Sequence, residues 1–387
     1  MRNPLNCDRP PNATRRLPAV VIAGLGLAFV LGISFPSPLP AQMKPAKFEA
    51  DPSWPKPMPN RWVTGALGGV CVDAQDHVFI LNRGGLTENE LDSGRQAPPV
   101  IEFDPEGDVV NSWGDRGILP EALHGCFVDR ENNVWISGSG SGLVQKYSHD
   151  GKKLLLQIGT PGVVDSSDGS LGGRPLNTSQ THLFRPSAVA VDSGNGEVYV
   201  ADGEEPGSNH RVVVFDRNGR FLRQWGLHGE SEKAEDNAFA QVPHCVTIGN
   251  DGLVYVCDRR GDRIQVFDKA GKFQKNIVVP YEPRTQRQRL GPGHLSRAWG
   301  TADWIGFSPD RAQTFMYVLN EDDEQVEILD RAGGNIVSKF GRAGHQVGGF
   351  TFAETLAVDS KGNVYVAELG AEEGGNRVQK FKATGDQ

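Results

Sequence analysis

Through most of the chain, runs of about five residues alternate apolar and polar positions, and clusters of Asp, Asn and Gly separate them, which is the signature of short half-buried strands joined by hairpin turns. The runs are similar to one another: "HVFIL", "NVWIS", "EVYVAD", "LVYVCD", "FMYVLN" and "NVYVAE" share one place in a unit, and "LVQKYS", "RVVVFD", "RIQVFD", "QVEILD" and "RVQKF" share a later one. Each unit reads as an apolar strand, a turn, a second strand, a loop, a third strand, a turn, and a fourth strand that often ends in "WG". Six copies are present, at a spacing of roughly fifty to sixty residues.

A copy of this kind is a four-stranded antiparallel sheet, and six such sheets placed radially make an all-β, six-bladed β-propeller, which leaves few exposed sheet edges. A β-sandwich or two smaller barrels would not need the same local pattern six times. The last copy ends at Phe381 with only three strands, whereas "AKFEADPSW" (46–54) stands unpaired before the first. The Pro-rich lead-in, residues 42–60, is therefore expected to supply the missing outer strand, with the propeller over 61–387 and no domain boundary after "DPSWPKPMPNRW".

Composition narrows the partners. Forty basic against 48 acidic residues give a net charge of -8, and without a basic cluster in the body of the chain nucleic acid is excluded. Arg15 and Arg16, the apolar run Ala19–Ile33 and "SFPSPLPAQ" up to Ala41 read as a signal peptide over 1–41, hence a protein exported to the periplasm or outside the cell. Fifteen apolar residues are short for a membrane span, so no span is expected after leader removal, an uncleaved N-terminal anchor being the alternative. A monomer is expected. Cys7 leaves with the leader, and Cys71, Cys126, Cys245 and Cys257 all lie in strands. A turn at 249–252 sets residue 245 opposite 256, so Cys245 and Cys257 should point to opposite faces and stay buried free thiols.

Counting back five residues from each first turn picks out Gly68, His124, Ser187, His244, Asp303 and Glu354. The first strand of a blade lines the central channel, so these side chains should form one ring. His124, His244 and Glu354 then come from alternate blades and converge, with imidazole and carboxylate donors suited to zinc or another divalent transition metal. The plainer reading is a ring of channel-lining polar groups on trapped water. Arg83 and Arg259 each fall three residues beyond the last core residue of a second strand (Ile80 and Val256), beside the start of the first, and so on the same rim. The long loops (84–99, 203–210, 370–376 and 159–185, 227–242, 280–302, 342–353) emerge there too, and such a face is the expected binding face. Two guanidinium groups beside a metal suit a small carboxylate-bearing or peptide ligand. Either arginine merely pairing with neighbours such as Asp258 is the alternative.

With these residues in view, the chain resembles an NHL-repeat propeller, and more narrowly the peptidyl-α-hydroxyglycine α-amidating lyase family over most of residues 60–381. The resemblance implies a zinc held by three histidines of alternate blades, a structural calcium in the channel, and arginines that hold substrate. "LHGCFVD" and "VPHCVTI" match two ligand motifs at His124 and His244, and "LNRG" and "CDRR" the arginines at Arg83 and Arg259. Two departures stand out. The third ligand position holds Glu354 where the family has His, followed by Thr355 where the family has a calcium-linked Asp. The family's catalytic Tyr follows an Asp-Gly in blade three, but here Glu204 follows Asp202-Gly203. Glu204 or Glu205 would have to act as the base through a raised pKa; the simpler expectation is an exposed loop carboxylate. Three functions follow from these features: a metal-dependent lyase or hydrolase, a non-catalytic NHL propeller binding a peptide, glycan or protein on its long-loop face, and a calcium-dependent lactonase, which the histidines argue against.

Overall fold

The structure, a computed structural model, describes residues 44–205, 207–228, 238–240, 242–280, 299–370 and 375–384, so the leader at 1–41 lies outside the described residues. Six four-stranded antiparallel sheets form the blades of a β-propeller. Their first strands are Ala66–Val72, Leu123–Val128, Pro186–Val191, Pro243–Ile248, Trp304–Phe307 and Ala353–Val358, each packed beside the next in a closed cycle around the axis. In blades one to five the strands run outward in chain order. Blade six is composite: Ala353–Val358, Val364–Glu368 and Val378–Thr384 take Lys47–Ala50 as their outer strand, in the register Lys47↔Thr384 to Ala50↔Phe381. Trp54, just past that strand and 5% exposed, packs its ring 4.9 Å from Tyr365 and 5.5 Å from Phe103, sealing blade six against blade one.

The second strands bury Phe79, Trp135, Tyr199, Tyr255 and Tyr365 and the third strands Phe103, Phe215 and Phe267, so the core lies between the sheet faces of neighbouring blades. Each such ring contributes about 1.5–3 kcal/mol by leaving water. The turns between first and second strands repeat one design in blades one, two, four and six. In blade four Gly249 N–H donates to Leu253 O and Gly252 N–H to Gly249 O, with Gly252 at φ +76, a three-residue loop closed by a left-handed residue. In blade one Asp73 takes the place of Gly249, and its Oδ1 accepts from the N–H groups of Gln75 and His77.

This loop overturns the expectation of free thiols. Because the closing pair is Gly249 with Leu253, one residue later than a four-residue turn would give, Val246 lies opposite Val256 and Cys245 comes opposite Cys257. The two form a disulfide, with Cα atoms 4.8 Å apart. A second, Cys71–Cys126, joins the first strands of blades one and two across 5.4 Å. Both bridges sit on the strands that carry His124 and His244.

Candidate metal centre

At the start of the first strand the pairing with the second slips by one residue in five blades. The residues caught in the slip are Gly68, His124 with Gly125, Ser187, His244 with Cys245, and Glu354. A β-bulge of this kind re-aims a side chain. Here it turns the ring residues toward the axis. Blade five reaches the same place without a bulge: Asp303 precedes Trp304–Phe307 and donates its N–H to Leu319 O.

The convergence is tight. His124 Nε2 lies 3.2 Å from His244 Nε2, 2.7 Å from Glu354 Oε1 and 3.2 Å from Glu204 Oε2. His244 Nε2 lies 3.0 Å from Glu204 Oε2 and 3.8 Å from Glu354 Oε1. All four residues are buried, and the rings of His124 and His244 stand 6.2 Å and 5.9 Å from Trp304.

Glu204 is thus no exposed loop carboxylate. The N–H groups of Gly203 and Glu204 both donate to Arg185 O, and Gly203 at φ +152 folds the chain back over the channel. Burial pushes the Glu204 carboxyl up, but His124, His244 and Arg259 outweigh it and hold the group well below the usual range. Glu205 does point outward, 3.5 Å from Arg185. Burial likewise opposes charge on His244, yet Asp303 and Glu204 keep its imidazole well above the ordinary value.

The donor set fits a divalent cation. His244 Nδ1 sits 2.9 Å from Asp303 O and 3.0 Å from Asp303 Oδ1, so Nδ1 keeps its proton there, and in the neutral imidazole that binds a cation Nε2 is the atom with the lone pair. That lone pair faces another imidazole nitrogen, and Oε2 of both Glu204 and Glu354 has no hydrogen-bond partner among the described residues. Bonds of about 2.1 Å to a tetrahedral ion put its donors about 3.4 Å apart, and the measured separations bracket that value. Next to Glu354, Thr355 is fully buried and its Oγ1 has no hydrogen-bond partner among the described residues.

Both arginines reach the cluster. Arg259, 3% exposed, ignores Asp258, which is held by Arg263, Gln265 and Ala240 N–H. Its guanidinium instead stands 3.6 Å from Glu204 Oε1, 3.4 Å from Asp303 Oδ1 and 3.7 Å from Glu321 Oε2. Arg83 lies across Gly68, where a Cβ would sit 2.5 Å from its Nε. It donates to Leu123 O and leaves NH2 3.8 Å from Glu354 Oε1 without a hydrogen-bond partner among the described residues. Sequence reasoning missed Glu321, although it follows "FMYVLN" as Arg259 follows "LVYVCD". Burial and the Asp303 carboxylate push Glu321 well above the usual range.

Glu324, beside this rim, yields a pH prediction. Burial pushes its carboxyl up to about 7, against the N–H groups of Phe352 (2.7 Å) and Ala353 (3.3 Å) and with Glu368 nearby. A carboxyl raised in the folded state contributes stability below its unfolded pKa and loses it as pH climbs through the folded value. Glu324→Gln should therefore unfold at higher urea than the wild type at pH 8, by up to about 3 kcal/mol, with little gain at pH 4.

Comparison with known proteins bears on the repeat and the fold. The NHL repeat model matches residues 185–215 and 241–267. NHL repeat-containing protein 3 of Mus musculus is 29% identical over 88% of this chain and 85% of its own length. Peptidyl-glycine alpha-amidating monooxygenase B of Xenopus laevis is 29% identical over 86% of this chain, which spans 35% of that protein. The probable peptidyl-alpha-hydroxyglycine alpha-amidating lyase pgal-1 of Caenorhabditis elegans is 30% identical over 56% of this chain and 59% of its own. A streptogramin B lyase structure superposes with a TM-score of 0.52 at 13% identity, over 87% of this chain and 98% of that one, which supports the fold alone. The chain is an NHL-repeat six-bladed propeller that resembles the peptidyl-α-hydroxyglycine α-amidating lyases.

Proposed function

We propose that this is an exported, metal-dependent lyase acting on a small, carboxylate-bearing 1-hydroxy amide of the peptidyl-α-hydroxyglycine type. The observation that carries the reading is the meeting of His124, Glu204, His244 and Glu354 from four different blades at ligand distances. These residues would hold zinc or another divalent transition metal, which when bound supplies a Lewis acid for a substrate hydroxyl or carbonyl. Arg83 NH2 and the Arg259 guanidinium would orient the substrate carboxylate over the rim. Glu204 Oε2 is the carboxylate oxygen placed to accept the hydroxyl proton, taking the part of the phenol that this chain lacks. His124, His244 and Arg259 hold that carboxyl well below the usual range, so it gains the proton affinity of a base only once it has left its place against the imidazoles.

The same four donors favour a second reading. Four protein ligands close a site, as structural zinc sites do, whereas catalytic ones keep a position open. A non-catalytic propeller binding a peptide, glycan or protein on the long-loop face would need no opening. Elemental analysis of the purified protein, with glyoxylate release from a peptidyl-α-hydroxyglycine before and after chelation, separates the two. The lyase reading expects about one transition-metal equivalent at the axis and chelator-sensitive turnover; metal without turnover leaves the binding module. Two disulfides support an oxidising compartment, hence export, and no described helix is long and apolar enough to cross a membrane. We take the protein to act as a monomer.

A further inference from the structure

Departures from the repeat mark one more place. In five blades the second residue of a buried pair in the second strand is a Trp or Tyr (Trp135, Tyr199, Tyr255, Tyr317, Tyr365), able to donate a hydrogen bond near the tight turn. Opposite them the third strand offers Lys146, Val214, Val266, Ile328 and Lys380. The turn carboxylates are met accordingly. Asp129 Oδ2 takes Trp135 Nε1 and Lys146 Nζ at 2.9 Å each, Asp192 takes Lys269, and Asp359 takes Asn363 and Tyr365.

Blade one breaks every part of this. The aromatic is Phe79, which has no donor, and its partner across the ladder is Glu102, an acid where blades two and six carry lysine. Two carboxylates, Asp73 and Glu102, are thereby buried together at 6% and 3% exposure, at a spot where the other blades provide a donor or a cation. Buried carboxylates persist only where a positive partner answers them. Two imidazoles approach: His149 Nε2, from the third-to-fourth-strand turn of blade two, is 2.9 Å from Asp73 Oδ2 and 3.8 Å from Glu102 Oε1, and His77 Nδ1 is 2.7 Å from Glu102 Oε1. His149 packs edge-on against Phe79 at 5.2 Å.

We propose that Asp73, Glu102 and His149 form a second divalent transition-metal site, on the tight-turn face between blades one and two, with His77 steadying Glu102. The three donor atoms lie within 4.8 Å of one another, with separations like those of the central cluster. The histidine side chains are 30% and 31% exposed, so water reaches the site and completes the coordination. An ion there ties the two blades that Cys71–Cys126 also joins. The site is independent of the axial one and of any activity.

Chelator-stripped, refilled protein titrated with Zn²⁺ decides the matter. The wild type should take up one equivalent more than His149→Ala, and Glu102→Gln should bind that equivalent at least about ten-fold more weakly. His244→Ala should keep it. His149→Asn replaces the alanine variant if that fails to fold. Equal uptake by wild type and the His149 variant overturns the site, as does undiminished affinity in Glu102→Gln, which would mean a lone surface imidazole only.

Discussion

His244→Ala is expected to purify with at least ten times less axial metal than the wild type and to lose at least about 10³-fold in turnover of a peptidyl-α-hydroxyglycine, while still folding as a propeller. The substitution removes the one imidazole whose donor atom is oriented from behind, by Asp303 O and Oδ1. It also leaves Glu204 and Glu354 facing each other across His124 alone, a poorer set for any divalent ion. The ladder around the residue does not depend on it, since Pro243↔Asp258 and Val246↔Val256 pair on either side of the bulge. Asp303→Asn supplies a graded control. It keeps the carbonyl acceptor but weakens the orientation of Nδ1, so metal affinity should fall about 10–100-fold. Elemental analysis and calorimetric Zn²⁺ titration of the three proteins test this order. Equal axial occupancy in wild type and His244→Ala would show that His244 is not a ligand.

What the sequence could reveal follows from the range over which each signal acts. Blade number and strand order rest on local alternation repeated six times, and a period of two survives wherever a strand is half buried. The convergence of His124, His244 and Glu354 was readable because each stands at the same count before its turn, so errors of register cancel between blades. A single absolute register did not enjoy that cancellation. Closing the loop on Gly249 with Leu253, three residues between them instead of four, moves every partner by one, which is the difference between two thiols on opposite faces and a Cys245–Cys257 bridge. Glu204 was hidden for another reason. It belongs to a loop, and its direction is set by two N–H bonds to Arg185 O, eighteen or more residues back and silent in any periodicity. Asp303 and Glu321 lie in blade five, where the inner strand starts without a bulge and the turn is lengthened, so the count was least secure where it mattered for their roles.

Arg259→Met should cost about 3–5 kcal/mol of stability, more than any other single charge removal at the rim, because it takes the cation out of a buried acidic group without removing the acids. Glu204, Asp303 and Glu321 all lie within 3.4–3.7 Å of its guanidinium. Burial disfavours the charged guanidinium, yet these carboxylates outweigh it and hold the arginine above its ordinary value. Without it, Glu321, already pushed well up by burial and Asp303, moves higher still, and the protein must either protonate it or bury an unanswered charge. The sign follows from linkage. A carboxyl raised in the folded state stabilises below its unfolded pKa and stops doing so as pH rises through the folded one, so the penalty of the variant should be small at pH 5 and grow toward pH 8. Arg83→Met provides the contrast. That side chain is 23% exposed and 3.8 Å from a single carboxylate, so its loss should cost no more than about 1 kcal/mol at either pH, while still weakening the binding of a carboxylate-bearing substrate. Urea unfolding of both variants at pH 5 and pH 8 reads the difference directly. A flat, small penalty for Arg259→Met would mean that another cation answers Glu321 and Asp303, and the arginine would lose its place as the counter-charge of the site.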